Sequence, residues 1–150
     1  MELSFIVQSI IAGIFGTYVL LVLAVWNSRL GMPRLDFSAA MAAVTYGDSF
    51  EGQKPPYWAG MLVIYFNGVI FALLYSYAIG PHLPYHPLIN GAIWGAVLWF
   101  ISGIFYVPFI LKEGFFLSHI HGMAWFASGI VHGAYGLMVG WLAPVAHMGS

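Results

Sequence analysis

The sequence predicts an all-α integral membrane four-helix bundle with a short interfacial helix between spans one and two. Hydrophobic residues make up 61% of the chain and charged residues 6%, against about a quarter charged in soluble domains, so lipid must solvate most of the surface. Four apolar runs, Leu3–Trp26, Tyr57–Ile79, Leu88–Leu111 and Ile120–Pro144, reach the roughly 20 residues that cross about 30 Å of hydrocarbon. These runs are continuously apolar instead of alternating, and a backbone in lipid must satisfy its own hydrogen bonds, which selects helices over strands. All 150 residues form one four-span domain on this pattern.

The first run ends at Val25-Trp26-Asn27-Ser28-Arg29, which lacks the small-x-small pattern of a signal-peptidase site and so reads as a retained span. The connection after it, Asn27–Pro56, is the long one. Within it Asp36 is placed to cap a short helix reaching about Tyr46. Phe37, Ala40, Met41 and Val44 would share one face, a spacing suited to lying at the cytoplasmic interface. Gly47–Pro56 then returns as a polar, proline-ended loop. The second connection, Gly80–Pro87, is stiffened by Pro81, Pro84 and Pro87. Trp26, Tyr57, Trp58, Tyr85, Tyr106 and Trp141 fall near span ends, as an aromatic belt would. Ala146–Ser150 reads as a frayed tail, with no role for His147.

Every charge maps outside the runs: Glu2; Arg29, Arg34, Asp36, Asp48, Glu51 and Lys54 in loop one; Lys112 and Glu113 in loop three. All 4 Lys/Arg residues therefore share one side. By the positive-inside rule loops one and three are cytoplasmic and both termini non-cytoplasmic, as in a prokaryotic inner membrane. A net charge of −1 without a basic run speaks against nucleic acid as a partner. The absence of cysteine excludes disulfides, thiolate metal sites and Cys nucleophiles. Spans free of Asp, Glu, Lys and Arg disfavour ion or proton transport. Without Gly-x-Ser-x-Gly or His-Glu-x-x-His there is no hydrolytic signature either, so an enzyme is not expected.

Spans three and four carry glycine at helical spacing. Gly122, Gly129, Gly133, Gly136 and Gly140 project within about 60° of one another at 100° per residue, and Gly91 and Gly95 form a matching pair. Smooth faces of this kind carry helix association in lipid, within the bundle or against a partner helix. Beside the fourth-span face runs a stripe of His121, Trp125, Ser128, His132 and Tyr135. His132 falls near mid-membrane, where a polar group needs a partner, with Asn67, Gln8 and Tyr135 as candidates. Alternatively His132 holds a cofactor, with His121 and Tyr135 as neighbours. A haem held by two histidines of this chain is disfavoured because His121 and His132 lie about 16 Å apart on one helix, so a dimer sharing His132 or a Met partner such as Met61 or Met138 would be required. A chlorophyll-type pigment needs one histidine with small residues around it, and Ser128, Gly129, Gly133 and Gly136 meet that condition. His119 and His121 point about 200° apart on a helix, and His82 and His86 lack a carboxylate, so no metal site is expected.

The succession Gly31-Met-Pro-Arg-Leu-Asp-Phe-Ser-Ala-Ala-Met41, Asn67-Gly68-x-x-x-Ala72-x-x-Tyr75, Asn90-Gly91-Ala92-x-Trp94-Gly95-x-x-x-Trp99 and His132-Gly133-x-Tyr135-Gly136 resembles a family of small four-helix prokaryotic membrane proteins of unknown function. The likeness runs from about Gly13 to Leu142. Asn67 stands where that pattern usually has His, which weakens any two-histidine site. The resemblance implies a four-helix inner-membrane protein and no activity. The function expected from these observations is a non-catalytic subunit packing on a larger membrane complex, respiratory or photosynthetic, through its glycine faces. Its partners would be the bilayer and other membrane subunits, or a second copy. The alternatives are a haem- or pigment-binding protein using His132, and a quinone or small-molecule site between spans two and four near Asn67 and His132.

Overall fold

The computed structural model describes residues 3–47 and 56–146, and these residues are helical with short connections and no strand. Glu2, Asp48, Glu51, Lys54 and His147, and most of the Gly47–Pro56 loop, lie outside the described residues. Among the described residues three helical stretches, Leu3–Leu30, Tyr57–His82 and Pro87–Leu111, are long and apolar enough to cross a membrane.

Helix α1 spans Leu3–Trp26 and runs into a 3₁₀ turn, Asn27–Leu30. Gly31 stops it at φ 75°, donating its N–H back to the carbonyls of Asn27 and Ser28, a left-handed cap that glycine adopts without steric cost. The chain then folds against the end of α1: Met32 N–H donates to Asn27 O (3.1 Å), Leu35 N–H donates to Ala24 O (3.1 Å), and both side chains are buried.

Helix α2 covers Phe37–Tyr46, and the Asp36 carboxylate accepts from Ala39 N–H at 3.0 Å as its N-cap. Its buried residues are Ser38, Met41 and Ala42, whereas Val44 is exposed. The expected stripe of Phe37, Ala40, Met41 and Val44 is therefore not the contact face. The cause lies in the partner helix: a Cβ at Gly60 would overlap the Ser38 carbonyl and stand 2.7 Å from Ala42 N. The missing side chain lets the backbone of α2 settle directly onto helix α3, Tyr57–Leu74. Instead of lying as a free amphipathic helix, α2 packs onto α3, and Met41 reaches the Tyr106 hydroxyl (3.0 Å to Sδ).

Helix α3 continues through a π-helical turn, Tyr75–Ile79. Helix α4, Pro87–Ile101, starts with proline in its first turn, where no N–H is needed, and widens to π spacing over Ser102–Leu111. Pro108 sits inside that stretch. It has no N–H and its ring collides with the carbonyl four residues back, so a wider turn relieves an α-helix that could not continue unchanged. Lys112, at φ 59°, ends it.

Helix α5, Ala124–Leu142, begins four residues inside the apolar run that starts at Ile120. Just before it, His121 Nδ1 accepts from Met123 N–H (3.0 Å), and no side-chain hydrogen bond caps the helix itself. Helix α1 packs against α3 and α5, α4 packs against α5, and α2 packs on α3. Small residues set these approaches. A Cβ on Gly13 would stand 2.7 Å from Val69 Cα, and one on Gly16 2.9 Å from the Tyr135 ring. The enclosed core includes Leu20, Ala72, Tyr75, Trp94, Val131 and Val139. Outward-facing positions stay apolar and large: Phe66, Phe109 and Trp141 are 66%, 67% and 66% exposed, a surface that water would not tolerate in a monomeric soluble protein.

Candidate functional site

The glycines of α4 and α5 do not form one surface. A Cβ on Gly91 would overlap the Gly136 carbonyl and lie 2.8 Å from Gly140 Cα; one on Gly95 would lie 2.5 Å from His132 O. Reciprocally, a Cβ on Gly136 or Gly140 would lie 2.6 Å from Gly95 Cα or Gly91 Cα. Gly91, Gly95, Gly136 and Gly140 are thus taken up inside the chain, where they bring the two backbones together. Gly133 and Gly122 have open space where a Cβ would be, and Gly122 precedes the helix; Gly129 faces the Trp99 indole at 3.5 Å. At Trp99 the helices diverge around the indole, whose Nε1–H donates to Trp125 O at 3.1 Å.

His132, His121, Tyr135 and Asn67 are not assembled into one site. His132 Nδ1 lies 2.8 Å from Ser128 O and 3.4 Å from Ser128 Oγ. The proton therefore sits on Nδ1, donated to the carbonyl one turn back, and Nε2 is left as an acceptor. The Phe37 ring stands edge-on to the imidazole, centroids 6.2 Å apart at 89°. Tyr135 turns away from His132, being three residues on and so about 60° round the helix, and its buried hydroxyl donates to Gly68 O of α3. Asn67 is half-buried and makes no side-chain hydrogen bond with His132, and Gln8 is exposed. His121 lies outside α5, on the surface. Of the small residues expected to leave room for a pigment, Ser128 bonds His132 itself, Gly136 packs on α4 and Gly129 faces Trp99, while Gly133 has open space beside it.

Elsewhere in the core, the Tyr75 hydroxyl and Trp94 Nε1 are buried without a protein partner, with their rings 6.3 Å apart. Two buried tyrosines thus stand in opposite states, and their phenylalanine variants should separate. Tyr135→Phe removes an α5–α3 hydrogen bond and is expected to cost about 1 kcal/mol. Tyr75→Phe removes an orphaned hydroxyl and is expected to be neutral or stabilising. Unfolding titrations in detergent check the pair, and equal losses would contradict the assignment.

The best-formed concavity lies where α4 and α5 diverge. Trp99 packs on Phe116 (centroids 4.9 Å) and on Trp125 (6.4 Å). Phe116 is delivered by a tight loop in which Lys112, Phe116 and Leu117 all adopt left-handed φ of 59°, 52° and 65°. Such conformations cost non-glycine residues of order 1 kcal/mol each or more. Burial of Leu117 and the Phe116 ring lying over Gly103, where a Cβ would overlap it, hold the loop in place. Below the loop is a pocket of about 300 Å³ lined by Trp99, Phe115, Phe116, Ser118, His121, Gly122 and Trp125. A second hollow, about 310 Å³, continues along the outer α4–α5 groove over Ala92, Ala96, Gly129 and Gly133, sharing Trp99 and Trp125 with the first.

Both hollows are mainly apolar; Ser118 and His121 bring polar side chains to the first, and none of the described residues lining either is charged. Because His121 Nδ1 accepts from Met123 N–H, the proton of the neutral ring sits on Nε2, which becomes a donor, opposite to the tautomer of His132. Ser118 adds a hydroxyl. Sequence reasoning found Trp125 and His121 but missed Trp99, Phe116 and Ser118. The available signal was that Trp99 extends the Gly91/Gly95 row by one turn, as Trp125 precedes Gly129 by one turn. Bulky aromatics at the ends of two facing glycine rows must splay the helices. No family model, curated protein or solved structure matches the chain.

Proposed function

We propose that this is a four-span membrane protein that binds a lipophilic small molecule in the α4–α5 crevice and performs no chemistry of its own. The observation that carries the proposal is the adjacency of two hollows that share Trp99 and Trp125, the first with Ser118 and His121 in its lining and the second running over Gly129 and Gly133. That arrangement matches an amphiphile held along a membrane normal, with its head at the interface and its tail in hydrocarbon. Arg29, Arg34 and Lys112 lie in loops one and three, which by the positive-inside rule supports a cytoplasmic side for those loops and for the end of the crevice beside them. Both termini are then non-cytoplasmic, and α5, with 19 residues, spans about 28 Å at 1.5 Å per residue.

Gly133 supplies the test. Nothing stands where its Cβ would be, so Gly133→Leu fills the groove without disturbing the α4–α5 contact. In nanodiscs, quenching of tryptophan emission by a brominated long-chain alcohol should saturate, because Trp99 and Trp125 line the site. The variant is expected to weaken that binding at least about tenfold, since a displaced chain forfeits several methylenes at about 0.8 kcal/mol each, while its thermal unfolding stays at or above wild type. Unsaturable quenching, identical in both proteins, would refute the site. The open Gly129/Gly133 groove also supports a second reading, in which a helix of a larger membrane complex occupies it. Native purification with mass spectrometry would reveal a stoichiometric subunit in that case.

A further inference from the structure

The head pocket restricts the ligand further, on the premise that the crevice binds an amphiphile. We propose that the ligand is a neutral, ring-headed carbonyl compound with an apolar tail, of the quinone class, whose carbonyl oxygen accepts from His121 Nε2–H and the Ser118 hydroxyl. The contents of the pocket make this selection. Among the described residues no Lys, Arg, Asp or Glu lines it, so a phosphate or carboxylate head would be desolvated with no opposite charge from them beside it, an unfavourable exchange. Its walls are flat rings, Trp99, Phe116 and Trp125, set at 40–51° to one another within 6.4 Å, which favours a planar head that can lie against aromatic faces. Its polar groups are donors: the Met123 N–H occupies His121 Nδ1 and so directs the ring proton to Nε2, and a serine hydroxyl can donate as well. Donors without charge recognise a carbonyl oxygen. Below the head, the groove over Gly129 and Gly133 accepts a narrow chain. Only binding is assigned, with no electron transfer.

Isothermal titration calorimetry of the purified protein in detergent tests this with two probes, a decyl-chain benzoquinone and decylbenzene. Wild type is expected to bind the quinone about 5- to 10-fold more tightly, the increment of one or two hydrogen bonds between neutral groups. His121→Phe, which keeps a ring but no donor, should reduce the quinone to the level of decylbenzene. His121→Asn retains an acceptor for Met123 N–H and a donor, and should restore part of the preference. Gly133→Leu should weaken both probes alike. If wild type binds both probes equally, the quinone assignment falls and the amphiphile site stands. Should neither bind, the amphiphile site falls and takes the assignment with it. A preference that survives His121→Phe overturns the role of His121.

Discussion

Replacing Gly136 by alanine is expected to destabilise the bundle by about 2–3 kcal/mol, while the same change at Gly133 stabilises it by up to about 1 kcal/mol. The two residues lie within one turn of α5, and any alanine in a helix interior gains about 1 kcal/mol over glycine in propensity. What separates them is the other side of the contact. At Gly136 the new methyl would overlap the Gly91 carbonyl and stand 2.6 Å from both Cα and N of Gly95. Those are backbone atoms of a helix, so no rotamer change relieves the clash. α4 must move away as a body, and the contact of its Pro87 and Gly91 with Gly140 opens with it. Overpacking of this kind costs about 1–3 kcal/mol, more where backbone must shift, and it exceeds the propensity gain. At Gly133 the methyl meets nothing, so the gain is kept. Denaturant unfolding of both variants in one detergent measures the difference. Two variants of similar stability would mean that α4 and α5 do not meet through these glycines.

The contrast between these residues marks the limit of what was legible beforehand. Periodicity finds the helix face on which Gly129, Gly133, Gly136 and Gly140 lie, because 3.6-residue spacing is local to the chain. It does not say how far along that face the partner helix stays close. That depends on the register of α4, and register depends on Trp99, whose bulk ends the close approach. The ends of the first three apolar runs were legible for a simple reason: caps and breakers such as Asp36, Gly31 and the prolines of the second connection act within a few residues of themselves. The start of α5 was not, because the apolar pattern begins at Ile120 while the helix begins only at Ala124, after a turn in which Met123 N–H bonds to His121 Nδ1. His132 stands out in the sequence as a polar group in an apolar helix, with Asn67 and Gln8 on other helices and Tyr135 on its own as the expected partners. Its partner lies one turn back on that helix, at Ser128 O. A short local bond always competes with an interhelical one, and from sequence alone the two are indistinguishable. The aromatic crevice depends on three left-handed residues in one loop, for which Lys, Phe and Leu give no warning.

Gly60→Leu is expected to detach α2 while leaving the other helices associated. A Cβ at Gly60 would fall on the Ser38 carbonyl and within 2.9 Å of the Ala42 N and Cβ, which are the two ends of one helical hydrogen-bond turn in α2. The obstruction is backbone again, but the element that must yield is 10 residues long. Its burial rests on Met41, Ala42 and Ser38, and leaving α3 forfeits about 2–3 kcal/mol of that contact. The expected consequences are specific. Amides of 38–46 should exchange faster than in wild type by about 30- to 100-fold, the factor that a loss of this size implies. With Phe37 withdrawn from His132, the imidazole should react with diethyl pyrocarbonate faster than it does in wild type. Amides of α1 and of the α4–α5 contact should keep their protection, because α1 meets α3 through Gly13 and Gly68, away from Gly60, and α4 meets α5 through glycines that α2 does not touch. Uniform loss of protection across all helices would show instead that α2 is an indispensable part of the bundle. Unchanged exchange in α2 would show that it does not sit on Gly60.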